Sequence, residues 1–521
     1  MDGSFTKLGT ILLILAGVWI TEGSKILAIF PYQGQSHNMM FEPIVIGLAR
    51  AGHSVDVVSH FPPKEPVEGL NHISLKGTLH FYVDNVTASF ASTMIGVKAI
   101  DHMSYQEPND LCNLMRLPQL QNVIETDKKY DLMLTEVFGT NCYLAVAHKL
   151  KLPVVGVVTS AMFPWAYDPF FESTHPSFIP CQLTTFTNNM RFMERVENLI
   201  TTLYFKFLFY YYEKTVSEPI ARKYIDDFPS LADIYYNISM VLVNSHWSIH
   251  GARPTNPAIV EVAGLHIDET QVLTEELEVF LNSAKDGVVY FSTGTMLKSD
   301  SFPKEKILAI YNSFAELSNY KVLWKGNMDN MPEGLPTNVK MVPWVPQFAV
   351  LRHPKVKAFV THGGLMGTLE AIHAGVPMVG IPFFGDQMLN VGGYAYRGFA
   401  VYLNYQTLNK ESFSVALNEV LTNPKYQSNI ARVSRLFKDR PLSPLKKAIF
   451  WIEYVIRNGG ETLKSSGRHL YWFQYYLIDV GLFLLTITML AFVVLFTVSR
   501  KLTGFIWEMQ NRNVSVKQKT F

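Results

Sequence analysis

The sequence predicts an α/β chain of two successive sheet-forming halves with a single transmembrane helix near its C-terminus. Three observations carry this. Apolar strands alternate with helical stretches from residue 25 to about 267, the pattern of a parallel sheet with crossover helices. A second alternation of the same kind begins at Gly287. Residues 480–498 form an uncharged apolar stretch of nineteen residues, enough to cross a bilayer at ~1.5 Å per residue.

In chain order, the apolar core 11–20 follows Lys7 and precedes Gly23 and Ser24. It reads as a signal peptide over 1–23, too short for a stable span; a buried strand is the alternative. An N-terminal domain over 24–270 follows. Its strands are expected at Lys25–Phe30, Ser54–Ser59, 131–135, Val154–Val158 and 240–244, with an amphipathic helix over 40–51 ending at Gly52. Phe192–Tyr212, which contains LYFKFLFYYY, reads as a buried helix, or else as a pocket wall or a segment touching a membrane. Residues 265–278 resemble a linker, and a C-terminal domain spans 271–440. Strands are expected there at 288–292, 321–325 and Val339–Val342, and a helix at 304–317. A closing helix over 441–459 and a juxtamembrane segment to 478 lead into a span over 479–499. Aromatic residues 471–476 precede this span and Arg500 and Lys501 follow it, which orients the body to the lumen and the tail 500–521 to the cytosol. Lys517 and Lys519, fifth and third from the end, resemble a dilysine endoplasmic reticulum retrieval signal.

Basic and acidic residues nearly cancel, 45 against 44, so no nucleic-acid or polyelectrolyte partner is implied. Cys112, Cys142 and Cys181 have no metal-site spacing. Three buried thiols are expected, with one disulfide as the alternative in an oxidising compartment.

Chemistry concentrates in residues 359–387, FVTHGGLMGTLEAIHAGVPMVGIPFFGDQ. An apolar strand ends in a turn holding His362, Gly363 and Gly364, and a helix follows. Backbone N–H groups at such a glycine turn and helix N-terminus suit a diphosphate. A second apolar run delivers Asp386 and Gln387 to the carboxyl edge of the sheet, where ligands bind in such folds.

This run resembles the signature of the UDP-glycosyltransferases, the animal UDP-glucuronosyltransferase superfamily: Thr361, His362, Gly364, Glu370, Pro377, Pro382, Asp386 and Gln387 all fit it. The segments KVLWK, WVPQ and PLKKAIFWIEYVIR also look like family segments, and HGGLMGTLEAIHAGVP with FGDQ looks most like arthropod members. The resemblance implies two facing Rossmann-like domains, the GT-B architecture. It implies a UDP-sugar donor and no metal or other cofactor. His362 and the Gly363–Gly364 turn would meet the diphosphate, with Thr295 as a second contact. Glu370 would hold the ribose, Trp344 and Gln347 the uracil, and Asp386 and Gln387 the transferred sugar. Where many members have asparagine, this chain has Met366, which cannot donate to phosphate; Thr368 or further backbone N–H groups would substitute.

His37, after the first strand, matches the family's catalytic base, and imidazole suits proton removal near neutral pH. Its carboxylate partner would be Glu136, where the family has aspartate; Asp131 is the alternative. The resemblance implies an inverting transfer to a hydroxyl of a small lipophilic acceptor, in an enzyme of the endoplasmic reticulum membrane, and homo-oligomerisation stays open. UDP-glucose is favoured over UDP-glucuronate, for which Arg253 is the nearest candidate partner. A catalytically silent binding protein on the same fold is the rival class. A nicotinamide enzyme is excluded, because the turn PYQGQSHNMM lacks G-x-G-x-x-G.

Overall fold

The structure, a computed structural model, describes residues 23–79, 85–172 and 174–517, with side chains to residue 512. The expected signal peptide lies almost wholly outside the described residues, as does Lys519. The chain forms two compact units, residues 1–464 and 465–521.

The larger unit holds two parallel sheets. The first contains β1 (Lys25–Phe30), β2 (Ser54–Ser59), β3 (Leu70–Ser74), β4 (Leu132–Glu136), β5 (Val154–Val158), β6 (Met240–Val243) and β7 (Ile259–Glu261), in the order β3-β2-β1-β4-β5-β6-β7. Its helices include α1 (Gln35–Arg50), α2 (Glu107–Asn113) and α3 (Phe192–Tyr212). The second contains β8 (Gly287–Ser292), β9 (Tyr320–Lys325), β10 (Val339–Val342), β11 (Val356–Thr361), β12 (Met378–Gly380) and β13 (Ala400–Tyr402), in the order β10-β9-β8-β11-β12-β13. It carries α4 (Lys304–Glu316), α5 (Leu365–Ala374) and α6 (Gln387–Tyr396).

Central strands such as LMLTE and GVVYFS are buried along their whole length. Helices cover both faces of a parallel sheet, so its strands read as continuous rather than alternating apolar runs. Each sheet changes direction at one point, between β1 and β4 and between β8 and β11. Those switch points open the crevices in which such folds bind ligands.

Helix α7 (Pro444–Asn458) returns from the second half to pack on α1 and β7. It starts at Pro444, capped by Ser443, three residues later than the sequence suggests. The expected linker is partly helical: Thr274 caps a helix over Glu275–Asn282. The first helix begins at Gln35, five residues before the apolar periodicity starts, because its first turn faces a cleft rather than the core. Cys112 and Cys142 form a disulfide and only Cys181 is a buried free thiol, so the expectation of three thiols is corrected.

α3 forms over the expected residues, but the buried-helix reading does not hold. Asn198, Thr202, Phe205 and Phe209 face inward, with both phenylalanines packed on Trp165. Phe192, Met193, Ile200, Leu203 and Phe207 are exposed.

The smaller unit is dominated by α8 (Ile478–Lys517). Over 478–512 it is the one helix among the described residues long and apolar enough to cross a membrane. The helix continues beyond the apolar stretch, through Arg500 and Lys501.

Candidate active site

The carboxyl edges of the two sheets line a shared cleft of about 480 Å³. On the first sheet, the turn after β1 leads into α1, with Gly34 at its N-cap, and places His37 in the opening turn. β4, hydrogen-bonded neighbour of β1, ends at Glu136. The two residues flank the switch point and meet there: His37 Nδ1 lies 2.5 Å from Glu136 Oε1. Thr159, just past β5, donates to the same carboxylate oxygen at 3.1 Å. The Tyr32 and Phe138 rings pack against the imidazole at 4.3 and 5.0 Å between centroids. With Nδ1–H donated to Glu136, Nε2 is left as the basic nitrogen, and His37 lines the cleft. Asp131, the alternative partner, is at the opposite end of β4, accepting from the Lys25 backbone at 2.8 Å.

On the second sheet, His362 and Gly364 follow β11, and Gly294 and Thr295 follow β8, again on both sides of the switch point. Gly294 has φ +83°, and a Cβ there would sit 2.4 Å from His362 Cε1, so only glycine allows the imidazole to lie against this turn. Burial, reinforced by the charge of Lys325, pushes the His362 pKa down to about 4. At neutral pH His362 is therefore an uncharged hydrogen-bonding group, and Nδ1 is buried without a partner.

The positive charge here comes from elsewhere. Gly364 caps α5 without a side-chain bond, leaving the first backbone N–H groups of the helix at the cleft, where Gly364, Leu365 and Gly367 line it. Lys325, the last residue of β9, is buried; its Nζ donates to Gly294 O at 2.6 Å and lies 5.0 Å from the Trp344 ring centre. The sequence segment KVLWK contained it, but nothing in its pattern marked the lysine. Its place at the carboxyl end of a central strand was the available signal.

Several expectations need correction. Thr368 lies outside the cleft lining: its hydroxyl is fully buried and bonded to Gly364 O, Leu365 O and Tyr394 Oη. The Gly363 N–H is already donated to Thr361 Oγ1 at 3.2 Å. The φ of +87° at Gly363 allows close packing on Val391. Met366 serves the other half of the molecule. Its Sδ accepts from Asn244 at 3.4 Å, its carbonyl oxygen lies 3.0 Å from His266 Nε2, and its side chain joins the first sheet's core. Gln347 lines the cleft with its amide engaged: Nε2 donates to Glu370 Oε2 at 2.5 Å and Oε1 accepts from Tyr290 at 3.0 Å. Arg253 is tied to Tyr167 Oη and His250 O and does not line the main cleft.

Trp344, 57% exposed, presents a ring for stacking. Burial raises the Glu370 pKa to about 7, opposed by the Gln347 bond. Asp386 is pushed up by burial, while Asn390 and the charge of His37 across the cleft pull it down. Gln387 Oε1 accepts from the backbone of Phe383 and Phe384 at 2.9 and 3.2 Å, which fixes the loop that presents Asp386.

Two parallel sheets facing a cleft, with the His37–Glu136 pair on one side and a glycine turn at a helix N-terminus on the other, form the two-domain GT-B architecture of glycosyltransferases. Solved structures agree on the fold. The glycotransferase of kitacinnamycin superposes with a TM-score of 0.57 at 16% identity, covering 83% of this chain and 99% of its own. UDP-glucose: anthocyanidin 3-O-glucosyltransferase, solved with UDP, superposes at 0.56 and 19%, covering 84% and 99%. The model of the family described as UDP-glucoronosyl and UDP-glucosyl transferase matches residues 67–513, and the chain belongs to that family. UDP-glucosyltransferase 2 of Dactylopius coccus is 35% identical, over 91% of this chain and 92% of that one. UDP-glucuronosyltransferase 2B17 of Mus musculus is 33% identical, over 87% and 88%. The protein is a UDP-glycosyltransferase, transferring a glycosyl group from a UDP-sugar.

Proposed function

We propose that this enzyme transfers glucose from UDP-glucose to a hydroxyl of a small lipophilic acceptor, inverting the anomeric centre, with His37 as general base. The observation that carries the reading is the His37–Glu136 contact at the first switch point, facing the cleft opposite the anion-binding turn. The acceptor oxygen attacks the anomeric carbon as the carbon–oxygen bond to the diphosphate breaks. Its proton passes to His37 Nε2, and UDP leaves as the anion. Glu136 holds the tautomer and stabilises the imidazolium. Inversion of an α-linked donor yields a β-glycoside.

On the donor side, uracil stacks on Trp344, Glu370 with Gln347 accepts and orders the ribose hydroxyls, and Asp386 and Gln387 meet the sugar. The α5 N-terminus, His362, Thr295 and Lys325 surround the diphosphate; Lys325 and the helix N-terminus offset its charge and the other two hydrogen-bond it, so that no metal cofactor is required. Glucose is favoured because the described cleft lining contains two lysines, Lys64 and Lys325, and no arginine to pair bidentately with a glucuronate carboxylate. The Dactylopius relative named as a glucosyltransferase supports the same choice. The apolar cleft residues on the first sheet's side, Phe90, Met94, Phe138 and Phe163 among them, suit a lipophilic acceptor. The α8 span and its basic flank support a type I endoplasmic reticulum membrane protein with a luminal body.

The test is competition. Microsomes carrying the full chain receive equal UDP-glucose and UDP-glucuronate with a panel of phenols, steroids and alcohols, and products are weighed by mass spectrometry. Hexose adducts are expected. Glucuronides alone would overturn the donor assignment, and no adduct with any acceptor would overturn the acceptor class.

A further inference from the structure

The acceptor arm of the cleft contains a carboxyl group that the transfer reaction does not use. Glu107, the first residue of α2, lines the cleft beside Met103 and Phe138, yet is only 8% exposed. Its Oε2 is buried without a hydrogen-bond partner, and its Oε1 lies 3.8 Å from His102 Nε2. Tyr32 lies beside the same carboxyl group and opposes the rise in its pKa, and the Tyr32 ring packs on His37. Glu107 is thus one tyrosine away from the base, among apolar residues. A buried carboxyl with an unsatisfied oxygen is unfavourable for the fold, and helix α2 has no need of it in its core. Such a group in a binding cleft is explained by a ligand that completes its hydrogen bonding.

We propose that Glu107 is an acceptor-specificity residue, whose carboxyl group hydrogen-bonds a second oxygen of the acceptor. Preferred acceptors therefore carry a carbonyl or ring oxygen in addition to the hydroxyl that receives the sugar. This deepens the lipophilic-acceptor reading and rests on it. The electrostatics fit a donor role. Burial first, then the charges of Glu136 and Asp110, raise the Glu107 pKa to about 8 against the opposing effect of Tyr32, with His102 the remaining titratable group beside it. At neutral pH the group is a neutral acid with an O–H to give to a carbonyl. Gln182 adds a second polar group to this arm, its Oε1 also buried without a partner.

The experiment uses the detergent-solubilised full chain loaded with UDP. Binding of two carbonyl phenols, 4-hydroxyacetophenone and 7-hydroxycoumarin, is compared with that of 4-ethylphenol and 2-naphthol, which lack the second oxygen. Glu107→Leu is expected to weaken at least one carbonyl phenol by about tenfold while leaving its counterpart within twofold. Glu107→Gln, which keeps an N–H donor, restores most of that loss. As pH rises from 7 to 9 the wild-type chain loses affinity for the carbonyl phenol relative to Glu107→Gln, and both proteins see the same ligand ionisation. UDP affinity stays unchanged in both variants, as a folded control. Should Glu107→Leu not fold, the comparison of wild type with Glu107→Gln across pH decides. Equal loss for every phenol, no loss for any, or no binding of either carbonyl phenol overturns the proposal. Discrimination in binding with no sugar transfer would instead sink the catalytic reading and leave this one standing.

Discussion

His37 Nδ1 and Glu136 Oε1 meet at 2.5 Å although ninety-nine residues separate them in the chain. Adjacent parallel strands bring them together: β1 delivers the histidine through the first turn of α1, and β4 ends at the glutamate. If His37 is the base, His37→Ala lowers kcat by roughly a hundredfold or more and leaves UDP affinity unchanged. Glu136→Gln keeps an acceptor for Nδ1–H but removes the charge that stabilises the imidazolium, and is expected to lower kcat by roughly tenfold or more. Turnover of His37→Ala within twofold of wild type would remove it from the mechanism.

Glu370 and Asp386 are expected to divide the donor between them. Glu370 is bonded to Gln347 near Trp344, whereas Asp386 senses the charge of His37 across the cleft. Asp386→Ala should therefore cripple transfer and barely change UDP affinity. Glu370→Ala should weaken UDP by roughly tenfold or more, the scale of a lost hydrogen bond to a buried hydroxyl. Calorimetry with UDP checks both, and equal losses would show that sugar and ribose are assigned to the wrong carboxylates.

Much of this was legible in the sequence because both halves obey one rule. An apolar run followed by a polar turn places its chemistry at the carboxyl edge of a parallel sheet, so His37, Glu136, His362 and Asp386 could be located without coordinates. What failed was side-chain direction. Thr368 sits in the motif, yet its helical position turns the hydroxyl back toward Gly364 O and Tyr394. Met366 is explained by a neighbour more than a hundred residues away, Asn244. The cysteine pair depends on α2 and the end of β4 coming together, and its spacing alone carried no such information. Tyr32 and Thr159 are ordinary residues in the sequence, and only the structure places them against His37.

Lys325 should act on the phosphates. Its Nζ lies at the Gly294 turn, and its charge is felt by His362. We expect Lys325→Met to weaken UDP by about tenfold, to leave uridine binding within twofold, and to flatten the salt dependence of UDP affinity. A matching loss for uridine would mean that the lysine works through the Trp344 ring instead.

The orientation of the body can be read from glycans. Asn85 and Asn237 are exposed and each begins an Asn-x-Ser/Thr sequon, while a third sequon starts at Asn513, beyond the basic flank of α8. With a luminal body, the first two are expected to carry glycans and the third none. An endoglycosidase shift abolished by Asn513→Gln would reverse the topology.

The contribution of Glu213 to stability should fall as pH rises. This residue is buried outside the cleft lining, with Oε2 accepting from Asn141 at 3.0 Å and Oε1 unpartnered. Burial raises its pKa to about 8, opposed by the Asn141 bond and aided by Glu218. A carboxyl whose folded pKa lies above its unfolded value of 4.5 stabilises the fold fully below the lower value. That contribution is lost as pH rises through the window up to about 8, at a slope approaching ~1.4 kcal/mol per pH unit. Glu213→Gln keeps the oxygen that accepts from Asn141 and cannot ionise. Its melting temperature should match wild type near pH 4.5 and exceed it increasingly toward pH 8. Thermal melts across this range check the sign: parallel curves for the two proteins would show that Glu213 is not the neutral buried acid its surroundings imply.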